Sequence, residues 1–120
     1  MATTLGSTSI TISSASLSPG GSAGLYPARC WTRFTGTGTV SIYSSGNLSS
    51  ITDLGTGLYR LNFSTAISDG YCWAGTSDYN KIMSNQSPAS LLTTSLQVRS
   101  IGVNPNSVSD GAIVSVAVFR

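Results

Sequence analysis

The 120-residue sequence has no histidine and no glutamate, and only 8% of its residues carry charge. Without histidine the chain lacks the commonest general base and the commonest metal ligand at neutral pH. Without glutamate, the acidic residues are aspartates only. Asp53, Asp69 and Asp110 each sit in turn-forming sequence, two of them directly before Gly, which reads as backbone-bonding turn chemistry rather than a Ca²⁺ site. The two cysteines, Cys30 and Cys72, are too few to hold zinc. No catalytic residue, metal or cofactor is therefore expected, and the chain reads as a non-enzyme. Long apolar runs are also missing. The N-terminal MATTLGSTSITISS has neither a basic n-region nor a continuous apolar core, so no signal peptide, membrane span or membrane partner is expected. Synthesis in the cytoplasm then implies that both thiols stay reduced. The charge of +2, from six scattered basic and four acidic residues, gives no basic stripe for nucleic acid.

Apolar residues make up 40% of the chain, and Ser and Thr together approach a third. With so few charges, the hydroxyl residues must supply the polar surface, and such a surface suits a protein covered by neighbours in an oligomer or shell. No helical period appears anywhere, whereas short alternating runs recur between Gly, Asn and Asp turns. Residues 47–63, NLSSITDLGTGLYRLNF, carry the clearest case. Tyr59, Leu61 and Phe63 alternate with Leu58 and Arg60 after an Asp-Leu-Gly-Thr-Gly turn, which reads as a β-hairpin.

Residues 28–34 are expected to form a strand with Arg29, Trp31 and Arg33 on one face and Cys30, Thr32 and Phe34 on the other. Residues 39–43 return it with Val40 and Ile42 inward, 44–47 are expected to form the next turn, and 71–76 place Tyr71, Trp73 and Gly75 on one face. Residues 77–90 break the pattern and read as a variable loop. The strand over 94–101 turns Leu96 and Val98 inward. The last, 112–119, is apolar on both faces, with only Ser115 polar, as expected of a central strand or a subunit contact. The fold class expected is an all-β, antiparallel, jelly-roll-like β-sandwich over residues 25–120. Residues 1–24 are expected to form an N-terminal attachment arm and linker, one short strand carrying Ile10 and Ile12 and then a Gly/Ser-rich hinge; the alternative is that this strand completes its own sandwich.

Two motifs reduce to chance. Gly20-Gly21-Ser22-Ala23-Gly24 matches the nucleophile-elbow pattern, but that chemistry needs a strand-to-helix turn and a histidine. Three Asn-x-Ser sequons, at Asn47, Asn62 and Asn85, are the yield of a Ser-rich chain without a secretory signal.

The order ARCWTRFTGTGTVSIYSSGNLSSITDLGTGLYRLNF, then Asp69-Gly70-Tyr71, then TTSLQVRS and a closing VSVAVFR, resembles a domain frequent in tailed bacteriophages at the C-termini of tail-fibre and other virion-surface proteins. Matching positions are Ala28, Arg29, Trp31, Phe34, 36–39, 49–53, 55–57, Tyr59, Asn62, Phe63 and 114–120. Cys30, where a small residue is usual, and residues 77–90 depart from it. The resemblance implies a structural or adhesive role and a homotrimer, and it carries no catalytic residue.

The chain begins at Met1 with a short arm in place of a fibre's long stalk. The expectation is thus a capsid decoration (cement) or short-fibre subunit on the virion surface, made in the bacterial host cytoplasm and bound to other capsid or tail proteins. Ile113, Ala117 and Phe119 are the expected trimer contacts. The alternative is a receptor-binding (adhesin) tail-fibre module recognising host surface glycan through Trp31, Trp73, Tyr79 and the 77–90 loop, since exposed aromatics stack on sugar rings. A hydrolase ranks third, disfavoured by the missing histidine.

Overall fold

A computed structural model of the chain describes residues 27–103 and 106–120. They form nine strands in two antiparallel sheets with one short 3₁₀ turn, Pro88–Ser90, so the all-β sandwich is the fold. The expected arm with Ile10 and Ile12, and the match at 20–24, lie outside the described residues. Sheet A has the order β2 (Ser41–Gly46), β1 (Ala28–Thr35), β9 (Val114–Phe119), β5 (Cys72–Thr76). Sheet B has the order β3 (Leu48–Gly55), β4 (Leu58–Phe63), β7 (Ser95–Val103), β6 (Lys81–Asn85). The short β8 (Asn106–Val108) pairs with β7 past the start of β4.

The alternating residues of the sequence supply the core. Tyr59, Leu61 and Phe63 of β4 and Leu96 and Val98 of β7 face Cys30 and Phe34 of β1 and Val114, Val116 and Val118 of β9, all buried. Each such aliphatic side chain contributes about 1.5–3 kcal/mol relative to exposure. Two edge-on aromatic pairs fix the filling: Phe34 on Tyr59 with centroids 5.1 Å apart, and Phe63 on Tyr71 at 5.9 Å. The β3–β4 hairpin closes as its sequence predicts, with the Gly55 N–H donating to Asp53 Oδ1 at 3.0 Å.

Three expectations need correction. Residues 77–90 contain β6, because pairing with β7 sets Met83 inward against the core and Ile82 outward opposite Ile101. No alternation in KIMSN announces this, and left-handed Asn80 (φ 60°) supplies the reversal. In β2, a bulge opposite Arg33 and Phe34 adds Tyr43 to the strand. Val40 packs on the core, but Ile42 remains exposed. The strand also runs through Ser44–Gly46 rather than turning there, and the turn is compressed into left-handed Asn47 (φ 56°).

Candidate functional site

The outer face of sheet A is the candidate site, and two clasps hold the sheets that present it. At one end the buried Tyr59 hydroxyl lies 3.2 Å from both the Gly36 carbonyl and Asp110 Oδ1, either of which can take its proton, and it accepts the Gly111 N–H at 3.2 Å. Asp110 Oδ1 also accepts the Gly57 N–H at 2.7 Å. Gly57 is left-handed (φ 68°), and a side chain there would press against backbone atoms of Ser100 and Ser109 at 2.8 Å. Burial, reinforced by the Asp110 charge, pushes the Tyr59 phenol up to about 12, so it stays a hydrogen-bond donor at neutral pH. The sequence marks Asp110 only as a turn residue. Its partners lie more than fifty positions away, and nothing local announces them.

At the other end Asn47 joins the sheets. Its amide nitrogen donates to the carbonyls of Arg29 at 2.9 Å and Thr65 at 3.0 Å, and its Oδ1 accepts the Thr65 N–H at 2.7 Å. The side chain of the Asn47 sequon is thereby consumed in structure. Tyr71, whose phenol burial pushes up to about 12, donates to the carbonyl of Leu92 at 2.9 Å or Ser95 at 3.2 Å.

Between these clasps the outward residues of sheet A fall in register. Trp31 stands beside Ala117, and Ala117 beside Ala74. Arg33, Ser115 and Thr76 form the next row, and Phe119 pairs with Cys72. Small side chains on β9 and β5 leave a hollow of about 360 Å³ against Trp31 and Arg33. The Trp31 indole lies across Gly46 of the edge strand, where any side chain would collide with it. Arg33 stacks 4.7 Å from the centroid of the exposed Tyr43 ring, a cation–π contact. A second hollow of about 290 Å³ continues from Arg33 past Ile42 and Tyr43 to Ile113. The first hollow is thus low in polarity and free of carboxylates, with the Trp31 indole and the Arg33 guanidinium on its walls.

Ala117 and Phe119 project from the outer face of β9, half-buried, and Ile113 precedes the strand at 48% exposure. The three expected contact residues therefore border one surface. The three aromatics expected to meet glycan do not share one. Trp31 is on the outer face, 44% exposed. Trp73 pairs with Val118 and turns inward, its ring folded over Gly75, where a Cβ would lie 2.9 Å from Cζ3. Tyr79 stands exposed in the turn between β5 and β6. Cys30 and Cys72 are free thiols on opposite faces of sheet A, one buried and one exposed. Burial pushes the Cys30 thiol up to about 11, which keeps it protonated and inert at neutral pH.

Asp78 is tied into the fold rather than into a reactive cluster. It accepts from Lys81 at 3.1 Å and from the Ala112 N–H at 2.9 Å. Burial works against its ionisation, but these donors and Ser77 outweigh it and hold the carboxyl below its ordinary value. Among the described residues no three His, Cys, Asp or Glu side chains gather as metal ligands, and no helix is long and apolar enough to cross a membrane. Comparison with protein-family models, with curated proteins and with solved structures finds no match.

Proposed function

We propose that this chain is a non-enzymatic structural protein of a tailed-bacteriophage particle, a homotrimeric decoration or short-fibre subunit on the virion surface, with the outer face of sheet A as its subunit contact. The phage-domain resemblance in the sequence supports the setting. The observation that carries the contact is the composition of that face. An antiparallel sheet facing water ordinarily alternates apolar-in with polar-out, yet β9 sets Ala117 and Phe119 outward beside Trp31 and Ala74. Burying such a face against a neighbour removes apolar area from water at roughly 25 cal/mol per Å². Quantifying the protein in purified particles tests the setting. Many copies per head are expected of a decoration subunit, and absence from the particle would refute the proposal.

A second reading draws on Trp31 itself. Its exposed indole, beside a hollow edged by Arg33, Thr76 and Ser115, offers a stacking wall and polar ends to a sugar ring of a host surface glycan. A few copies confined to the tail, with adsorption to cells lost in Trp31→Ala, would favour that adhesin role.

A further inference from the structure

We infer that the outer face of sheet B is a second contact surface, which docks an acidic protein segment bearing aliphatic side chains, from a partner other than a copy of this chain. This inference does not depend on what sheet A contacts. Register places Ile82, Ile101 and Val108 in one row across β6, β7 and β8. Ser84, Arg99 and Leu58 form the next row, and Gln97, Arg60 and Thr52 the one after. Ile82 and Val108 are exposed, and Val103 beside them is exposed as well. An aliphatic patch therefore adjoins two arginines that sit on diagonal positions of neighbouring strands, about 7–8 Å apart.

Neither arginine has a carboxylate partner: the only ion pair among the described residues is Lys81 with Asp78. Arg99 Nε and Ser84 Oγ, at paired positions, are shielded from solvent without any hydrogen-bond partner. These two atoms lie beneath the surface, so a partner would meet Arg99 through the outer N–H groups of its guanidinium.

The chemistry of the partner follows from where this chain keeps its own acids. Of the four aspartates, Asp69, Asp78 and Asp110 lie in loops and Asp53 near the end of β3, and each accepts within the chain: Asp53 from the Gly55 N–H, Asp69 from the Gly70 N–H, Asp78 from Lys81 and Ala112, Asp110 from Gly57 and Tyr59. A second copy thus offers a single strand carboxylate, Asp53 at the edge of sheet B, rather than a row of them, and a two-fold contact through sheet B would set arginine against arginine. Guanidinium groups match carboxylates through paired N–H donors. The aliphatic row then selects among anions. A polyphosphate, nucleic-acid backbone or sulfated polysaccharide would meet the arginines but leave Ile82, Ile101 and Val108 facing water. A protein segment in which Asp or Glu alternates with branched aliphatic residues meets both.

Titration calorimetry with synthetic probes tests this on the full chain. A peptide alternating Glu and Val should bind, and its Gln–Val counterpart and polyphosphate should each bind about tenfold more weakly or worse. The variant R60Q/R99Q should lose about tenfold in affinity for the acidic peptide. R29Q/R120Q removes the same charge away from sheet B and should leave affinity within about twofold. Ile82→Ser with Val108→Ser, at exposed positions that do not hold the core, should also weaken binding. Failure of the acidic peptide to bind, equal loss in the two arginine variants, or polyphosphate binding as tightly as the peptide would each overturn the inference.

Discussion

The two outer faces of this sandwich are built from the same alternating strands, yet they differ in relief and in chemistry. Sheet A sets Ala74, Ala117 and Ser115 behind Trp31 and is hollow. Sheet B carries the longer Arg60, Arg99, Gln97 and Leu58 side chains in its corresponding rows. The outward rows of both sheets are free of carboxylates, because three aspartates lie in loops and Asp53 pairs with inward-facing Tyr59 near the end of β3. A chain with so few charges therefore keeps its acids for loops and a strand end, and distinguishes its faces by side-chain size and by arginine.

Placing one charge on each face should break or sustain that contrast most visibly. Ala117→Glu puts an unpaired carboxylate into the proposed contact on sheet A, at a cost of about 3–5 kcal/mol. It should convert the assembly into monomers by sedimentation velocity. Gln97→Glu at the corresponding depth of sheet B should leave the assembly intact and change stability by less than about 0.5 kcal/mol. If both variants dissociate, or neither does, the faces do not differ in the way proposed.

The contrast also requires that the sheets keep their relative position. Tyr59→Phe leaves Asp110 and the Gly36 carbonyl without the phenol proton and the Gly111 N–H without its acceptor. Denaturant unfolding should show a loss of about 1–3 kcal/mol. An unchanged midpoint would mean that the clasp holds nothing.

Much of this was legible beforehand. The runs Tyr59-Leu61-Phe63 and Val114-Val116-Val118 have the period of two that any half-buried strand must have, and their inward positions follow directly. In β6, the adjacent Ile82 and Met83 could as well have belonged to a loop, and only the long partner β7 makes a strand of them. β8 is three residues long and announces itself through nothing but its hairpin with β7. At the site, the outward set of Ala117 and Phe119 was readable by parity. Trp73 and Trp31 could not be assigned to opposite faces until the pairing of β5 and β1 with β9 was known. Asp110 with Tyr59, and Arg60 with Arg99, are tertiary relations that local sequence does not encode.

Alkaline titration should act on the shared core rather than on either face. The folded-state values of Cys30, about 11, and of Tyr59 and Tyr71, about 12, lie above the ordinary 9.0 and 10.0. The fold favours the neutral forms. Their contribution is complete below the ordinary values and is lost as pH rises through the folded ones. Asp78 has the opposite sign: its contribution is present above the ordinary value of 3.8 and is lost as pH falls through its lowered one. A denaturation midpoint that stays level from pH 9 to pH 11 would contradict the alkaline part.

The smallest effect, and the most local, is thiol reactivity across sheet A. Cys30 should resist a disulfide reagent until the protein unfolds. Cys72, exposed in the single chain and paired with Phe119, should react freely in Ala117→Glu but about tenfold more slowly in the assembly. Equal rates for Cys72 in both proteins would place the subunit contact elsewhere.

Multi-angle light scattering of the unmodified protein tests the central claim most directly. A homotrimer joined through sheet A should give three times the chain mass of 12.3 kDa, at concentrations where Ala117→Glu gives that mass once. A single chain mass for the unmodified protein would contradict it.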